Sequence, residues 1–113
     1  MSTDTKIILE SYLHAVINGV DVVMQDFTED SVIIKHHATY RGLAEIRQFY
    51  TTELNRLPKG FWNAFKVTRQ EVMREMAYIL WEAKPWFILG TDTLVIRNGK
   101  ILFQTVAACK GSE

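Results

Sequence analysis

The chain has 113 residues, 48% of them hydrophobic, and its 13 acidic and 13 basic side chains balance to a formal net charge of zero. That length suits a single domain with one core, and the neutral balance argues against a nucleic-acid or anionic-membrane binder, which needs a basic surface. The single cysteine, Cys109, excludes an intrachain disulfide, and no apolar leader or membrane-length apolar run is visible, so a soluble cytoplasmic protein is expected.

In chain order, the first segment reads as a helix. Ser2, Thr3 or Asp4 can cap it, Ile8, Tyr12 and Val16 recur on one face with Leu9, Leu13 and Ile17 beside them, and Asn18-Gly19 ends it. Asp21 can cap a short second helix from Val22 to Phe27. Ser31 to His36 is rich in β-branched residues and reads as a strand. Gly42 precedes a third helix with the apolar stripe Leu43, Ile46, Tyr50, Leu54 and Leu57, and Pro58 stops it. The remainder reads as four strands: Phe61 to Arg74, Ala77 to Ala83, Phe87 to Ile96 and Lys100 to Ala108.

Asn98-Gly99 between apolar runs is a strong signal for a two-residue hairpin. An uninterrupted ladder from that turn sets Ile96 opposite Ile101 and Asp92 opposite Thr105. One face then carries Ile88, Asp92, Leu94, Ile96, Ile101, Phe103, Thr105 and Ala107. The other carries Leu89, Thr91, Thr93, Val95, Leu102, Gln104, Val106 and Ala108. Both are substantially apolar. One can pack on the helices, and the simplest cover for the other is a second copy, so a homodimer through the sheet is expected. Cys109, in an apolar terminal strand, reads as a small core residue.

Asp92 stands out. It interrupts the run Trp86-Phe87-Ile88-Leu89-Gly90-Thr91-Asp92-Thr93-Leu94-Val95-Ile96, and a carboxylate there must be hydrogen-bonded, paired or protonated. Either it is satisfied by neighbours, or it is a functional group.

Helices followed by a long antiparallel meander make an α+β layout. The ordered set of residues resembles a known superfamily. It runs from Tyr12-Leu13 and Asn18-Gly19 through Phe27-Thr28-Glu29-Asp30-Ser31-Val32 to Tyr40-Arg41-Gly42-Leu43-Ala44-Glu45-Ile46-Arg47-Gln48-Phe49-Tyr50. Trp81-Glu82-Ala83, Gly90-Thr91-Asp92-Thr93 and Arg97-Asn98-Gly99-Lys100-Ile101 complete it. This is similar to the NTF2-like superfamily, in its SnoaL-like and ketosteroid-isomerase-like branch, over nearly the whole chain. The resemblance implies an NTF2-like (cystatin-like) cone: three N-terminal helices packed on a curved, mostly antiparallel sheet around an apolar pocket. It implies a homodimer through the sheet, and a function that ranges from isomerase, dehydratase or cyclase to non-catalytic binding.

In the ketosteroid-isomerase pattern a phenol and a protonated acid form an oxyanion hole while a carboxylate moves the proton; that enzyme is a standard example of a carboxylic acid kept neutral by an apolar site. By position, Tyr12 matches the phenol and Asp92 the acid. The base position departs from the pattern, because Val32-Ile33-Ile34-Lys35-His36-His37-Ala38-Thr39-Tyr40 holds no carboxylate. Lys35 falls there without a gap, and His36 with a one-residue shift. His36 could serve as general base beside Tyr12 and Asp92. Alternatively, Asp92 is ionised and is itself the base, as in the cyclase branch.

The blander readings stand beside these. Tyr12 on an apolar helix face suits a core aromatic. Trp62, Trp81, Trp86, Phe103 and Tyr50 are candidates to line a pocket for a small apolar molecule, and Trp62, Trp81 and Trp86 suit core or interface packing equally. Lys35 reads as a surface residue. His36 and His37, adjacent in a strand, point to opposite faces and cannot easily share a metal, so no metal and no cofactor are expected. If the protein is an enzyme, it is a cofactor-independent isomerase or lyase; otherwise it is a small-ligand or protein-interaction module.

Overall fold

A computed structural model describes residues 2–111, with side chains from Asp4 onward. Of the expected caps, the Ser2 and Thr3 side chains lie outside the described residues. Helix α1 spans Ser2–Ile17 and buries Leu9, Tyr12 and Val16, the stripe that its helical spacing dictates. A short helix, α2 (Val20–Val23), starts two residues earlier than expected and runs into a 3-10 turn at Met24–Asp26. Asp21 therefore lies inside it rather than capping it. Strands β1 (Val32–Lys35) and β2 (Ala38–Arg41) form a hairpin, and α3 (Gly42–Arg56) follows with Ile46, Phe49 and Tyr50 buried.

The expected strand from Phe61 to Arg74 is divided. Phe61–Ala64 is a helical turn, α4, and the strand proper, β3, is Lys66–Met73. The physical reason is that Phe61 and Phe65 are four residues apart, so a helical turn brings both rings to one side, 6.0 Å apart. Strands β4 (Met76–Ala83), β5 (Phe87–Arg97) and β6 (Lys100–Lys110) complete one open six-stranded sheet of order β2-β1-β6-β5-β4-β3. All neighbours are antiparallel except β1 and β6. The helices cover its concave face, where Ile33, Ile79, Leu94, Ile96 and Ile101 meet α1 and α3 in one core.

The hairpin register differs from the uninterrupted ladder. Arg97 pairs with Lys100 and Ile96 with Ile101, but Val95 then pairs with Phe103, leaving Leu102 as the extra residue of a bulge. Every pair from there to Leu89–Cys109 moves by one, so Asp92 lies opposite Val106, not Thr105. A one-residue slip exchanges faces along a strand. Gln104 is buried, and Val106 and Ala108 turn inward with it, whereas Phe103 is 45% exposed on the outer face. Cys109 is likewise exposed rather than in the core, because it alternates with the cavity-lining Ala108 and pairs with the exposed Leu89 on the outer face.

Gly90 belongs to a close approach. A Cβ built there would lie 2.1 Å from Cε2 of Trp81, so the indole occupies the space a side chain would need. Gly90→Ala is expected to cost about 1–3 kcal/mol by overpacking. Urea unfolding followed by circular dichroism checks it; an unchanged midpoint would show that Trp81 moves aside freely.

Candidate functional site

The sheet and helices frame a cavity of ≈ 150 Å³ that opens to solvent. Its walls include Phe61, Trp62, Phe65 and Phe87, with Leu54, Leu57, Val106 and Ala108 filling between them. Its polar groups come from six elements: Tyr12 on α1, Lys35 on β1, Tyr50 and Glu53 on α3, Trp62 on α4, Trp81 on β4 and Asp92 on β5.

Asp92 faces inward from β5 and is 7% exposed. Both carboxylate oxygens are engaged: Trp81 Nε1–H donates to Oδ1 at 3.0 Å and Gln104 Nε2–H to Oδ2 at 3.0 Å. Gln104 also donates to the Tyr12 hydroxyl at 3.0 Å, and its carbonyl oxygen accepts from Tyr50 at 3.3 Å. The two hydroxyls lie 2.8 Å apart. Counting donors orders the protons. Tyr50 spends its hydrogen on Gln104, so Tyr12 must give its own to Tyr50. The phenols and the amide thus form a closed ring whose remaining N–H points at Asp92.

Electrostatics follow from burial. Desolvation pushes Asp92 up from the ordinary 3.8 to about 6, against the opposing effects of Trp81, Gln104 and the charge of Lys35. Asp92 is therefore ionised above that value. Desolvation also holds Tyr12 and Tyr50 well above the usual phenol range, so both stay neutral donors.

The residues proposed from sequence divide cleanly. Tyr12, Tyr50, Trp62, Trp81 and Asp92 line one cavity. His36 does not: it sits with His37 in the exposed β1–β2 turn, their rings 4.5 Å apart, because the strand ends at Lys35. Phe103 lies on the outer face for the register reason given above, and Trp86 sits in the β4–β5 turn outside the cavity lining. Two participants come forward instead. Lys35, expected at the surface, lines the cavity with its side chain 17% exposed. Gln104, which an unbroken ladder puts on the face away from Asp92, lies on the inner face beside it. The signal was nonetheless present: a lone amide in the run Ile101-Leu102-Phe103-Gln104-Thr105-Val106 is as conspicuous as Asp92 in its own.

No family model matches the chain and no curated protein matches it. Solved structures do. An NTF2-like protein of unknown function from Burkholderia xenovorans superposes with a TM-score of 0.76 at 14% identity, over 98% of this chain and 87% of that one. A candidate polyketide cyclase from Sinorhizobium meliloti gives 0.74 at 17% identity, over 95% and 99%. A candidate isomerase of the SnoaL-like family from Agrobacterium tumefaciens gives 0.69 at 14% identity, over 95% and 98%. The chain has the NTF2-like α+β fold. Among the described residues no helix is long and apolar enough to cross a membrane.

The raised Asp92 carboxyl binds more protons in the folded chain than in the unfolded chain between 3.8 and about 6. Its contribution to stability is therefore most favourable below that window, falls as pH rises through it, and stays reduced above. The penalty at neutral pH is on the order of a few kcal/mol. Asp92→Asn is expected to remove it, since Gln104 can turn its amide to accept from the new side chain. Thermal unfolding of both proteins across the window checks this. The variant should melt higher at neutral pH, and the gap should close toward acid pH.

Proposed function

We propose that the cavity binds a small, largely apolar carbonyl compound and that Asp92 acts as the general base on a C–H beside the carbonyl. The reaction class is a cofactor-independent isomerisation or a related enolisation, with dehydratase and cyclase chemistry as variants of the same first step. The observation that carries this reading is one ionised carboxylate, held by neutral N–H donors, facing an aromatic cavity. A base works best when its pKa lies near the working pH, and about 6 is close to that range. Likeness to a candidate isomerase and a candidate cyclase is in keeping with it.

Cavity size narrows the substrate. At ≈ 150 Å³ it suits a one-ring or short-chain molecule, since an apolar cavity of about that size takes up benzene. A four-ring steroid exceeds it. A one-ring β,γ-unsaturated ketone should be converted to its conjugated isomer, read by ultraviolet absorbance. The rate should rise with pH through about 6 as Asp92 ionises, and Asp92→Asn should lower it by roughly 100-fold or more. Equal rates for variant and wild type would remove Asp92 from the chemistry. Binding of the ketone without turnover would favour a non-catalytic module.

The outer sheet face supports a homodimer as the assembled form. It exposes Ile34, Leu89 and Phe103 on neighbouring strands. Phe103→Lys should give a monomer in sedimentation equilibrium where the wild type is a dimer. A monomeric wild type would refute this assembly.

A further inference from the structure

We propose that Lys35 is the group that holds the substrate's carbonyl oxygen, so that the cation of this cavity stabilises the oxyanion while Asp92 carries the proton. The assignment rests on reading the cavity as a carbonyl site, and it gives the oxyanion role to a residue other than Tyr12 or a protonated acid.

The hydrogen-bond inventory leads to it. Tyr12 and Tyr50 spend their hydrogens within the ring closed by Gln104, and the amide spends its own on Tyr12 and Asp92. Trp81 gives its N–H to Asp92. None of these groups has a donor to spare for a ligand without breaking an existing bond, and the other indole of the lining, Trp62, offers only a neutral N–H. Among the described residues, Lys35 is the only cationic side chain that lines the cavity. Its nearest carboxylate, Glu53, is 3.7 Å away, beyond the 2.7–2.9 Å typical of a close ammonium–carboxylate bond. The ammonium also lies 5.7 Å from the centre of the Phe49 ring. It thus keeps N–H capacity, and a mostly buried stem aims it at the cavity.

The sheet sets the spacing. Ile34 of β1 is level with Thr105 of β6, so Lys35, one residue on, is level with Val106. Val106 pairs in turn with Asp92 of β5. Lys35, Val106 and Asp92 therefore share one row across three adjacent strands, all facing the cavity. Backbones two strands apart are about 10 Å from each other, which leaves room for a carbonyl group between the two side chains.

The chemistry balances. Asp92 takes the proton from the carbon next to the carbonyl. The C–H electron pair becomes the new C=C bond, and the carbonyl π pair moves onto oxygen. Negative charge passes from Asp92 to that oxygen and so toward the Lys35 ammonium, where an N–H bond to the oxyanion receives it. Returning the proton from Asp92 to the far carbon of the double-bond system completes the isomerisation.

The test uses para-nitrophenol, a one-ring stand-in for the enol whose absorbance separates phenol from phenolate. It is titrated at neutral pH into wild type, Lys35→Met, Lys35→Arg and Glu53→Gln, each checked for folding by circular dichroism. A bound phenolate with its proton on Asp92 has the same proton count as a bound phenol beside ionised Asp92, so the band reports where the proton sits. Wild type should bind mainly phenolate. Lys35→Met should bind mainly phenol, roughly tenfold more weakly, as loss of one charge-assisted hydrogen bond implies. Lys35→Arg should retain the phenolate band, and Glu53→Gln should strengthen it. The same band and affinity in wild type and Lys35→Met would overturn the assignment, as would no binding to folded wild type.

Ketone turnover separates the two readings. Lys35-dependent phenolate binding without turnover would keep Lys35 as the oxygen-binding group and reject catalysis. Turnover that Asp92→Asn abolishes and Lys35→Met leaves intact would do the reverse.

Discussion

A carboxylate at the centre of a small apolar core has to be met by hydrogen-bond donors, and the way Asp92 is met organises the molecule around it. One donor is an indole that reaches Asp92 only because Gly90 leaves space beneath Trp81. The other is an amide that faces the core only because the Leu102 bulge turns β6 over. Gln104 then reaches Tyr12 on α1 and Tyr50 on α3, so a single side chain ties two helices to two strands. Removing any one of these contacts would leave a buried polar group unmatched, which costs more than the bond itself contributes.

The arrangement runs against stability. Two neutral N–H donors ease the burial of a charge without fully offsetting it, which is why the Asp92 carboxyl remains raised. The cavity beside it forgoes the dispersion contacts that a filled core would supply. The remainder of the interior is packed in the ordinary way by Leu9, Ile33, Ile46, Ile79, Leu94 and Ile101, each almost wholly buried. Stability is thus carried by one part of the core, and a charged, hollow part is held in place by it. That division is expected of a site rather than of a structural core, where an apolar replacement would be cheaper.

Much of the fold was legible in the sequence, and the misses share a physical cause. Helices α1 and α3 follow from apolar spacing alone, and the terminal hairpin from Asn98-Gly99. Tyr12, Tyr50, Trp62, Trp81 and Asp92 stand out in the sequence and lie around one cavity. What failed was anything that depended on an unbroken alternation. The bulge at Leu102 has no glycine to announce it, and it moved Phe103 out and Gln104 in. The β1 strand stopped one residue short of His36, which left that residue in a turn. The aromatic run after Gly60 fits both periods over so few residues, and ring packing chose the helical one. Short-range pattern specifies elements well; register is a property of two strands at once and is not written in either.

The bulge also decides which charges meet. Had the ladder continued unbroken, Asp92 would stand opposite Thr105, in the row of Ile34. Ile34 points away from the core and is 46% exposed. Lys35 would then fall one residue out of step with Asp92, and neighbouring residues on a strand face opposite sides. One inserted residue in β6 therefore places a cation and an anion on the same inner row, with Val106 between them. The pairing depends on the bulge as much as on either charged residue, so a deletion that restored the regular ladder would separate the two charges without altering either one.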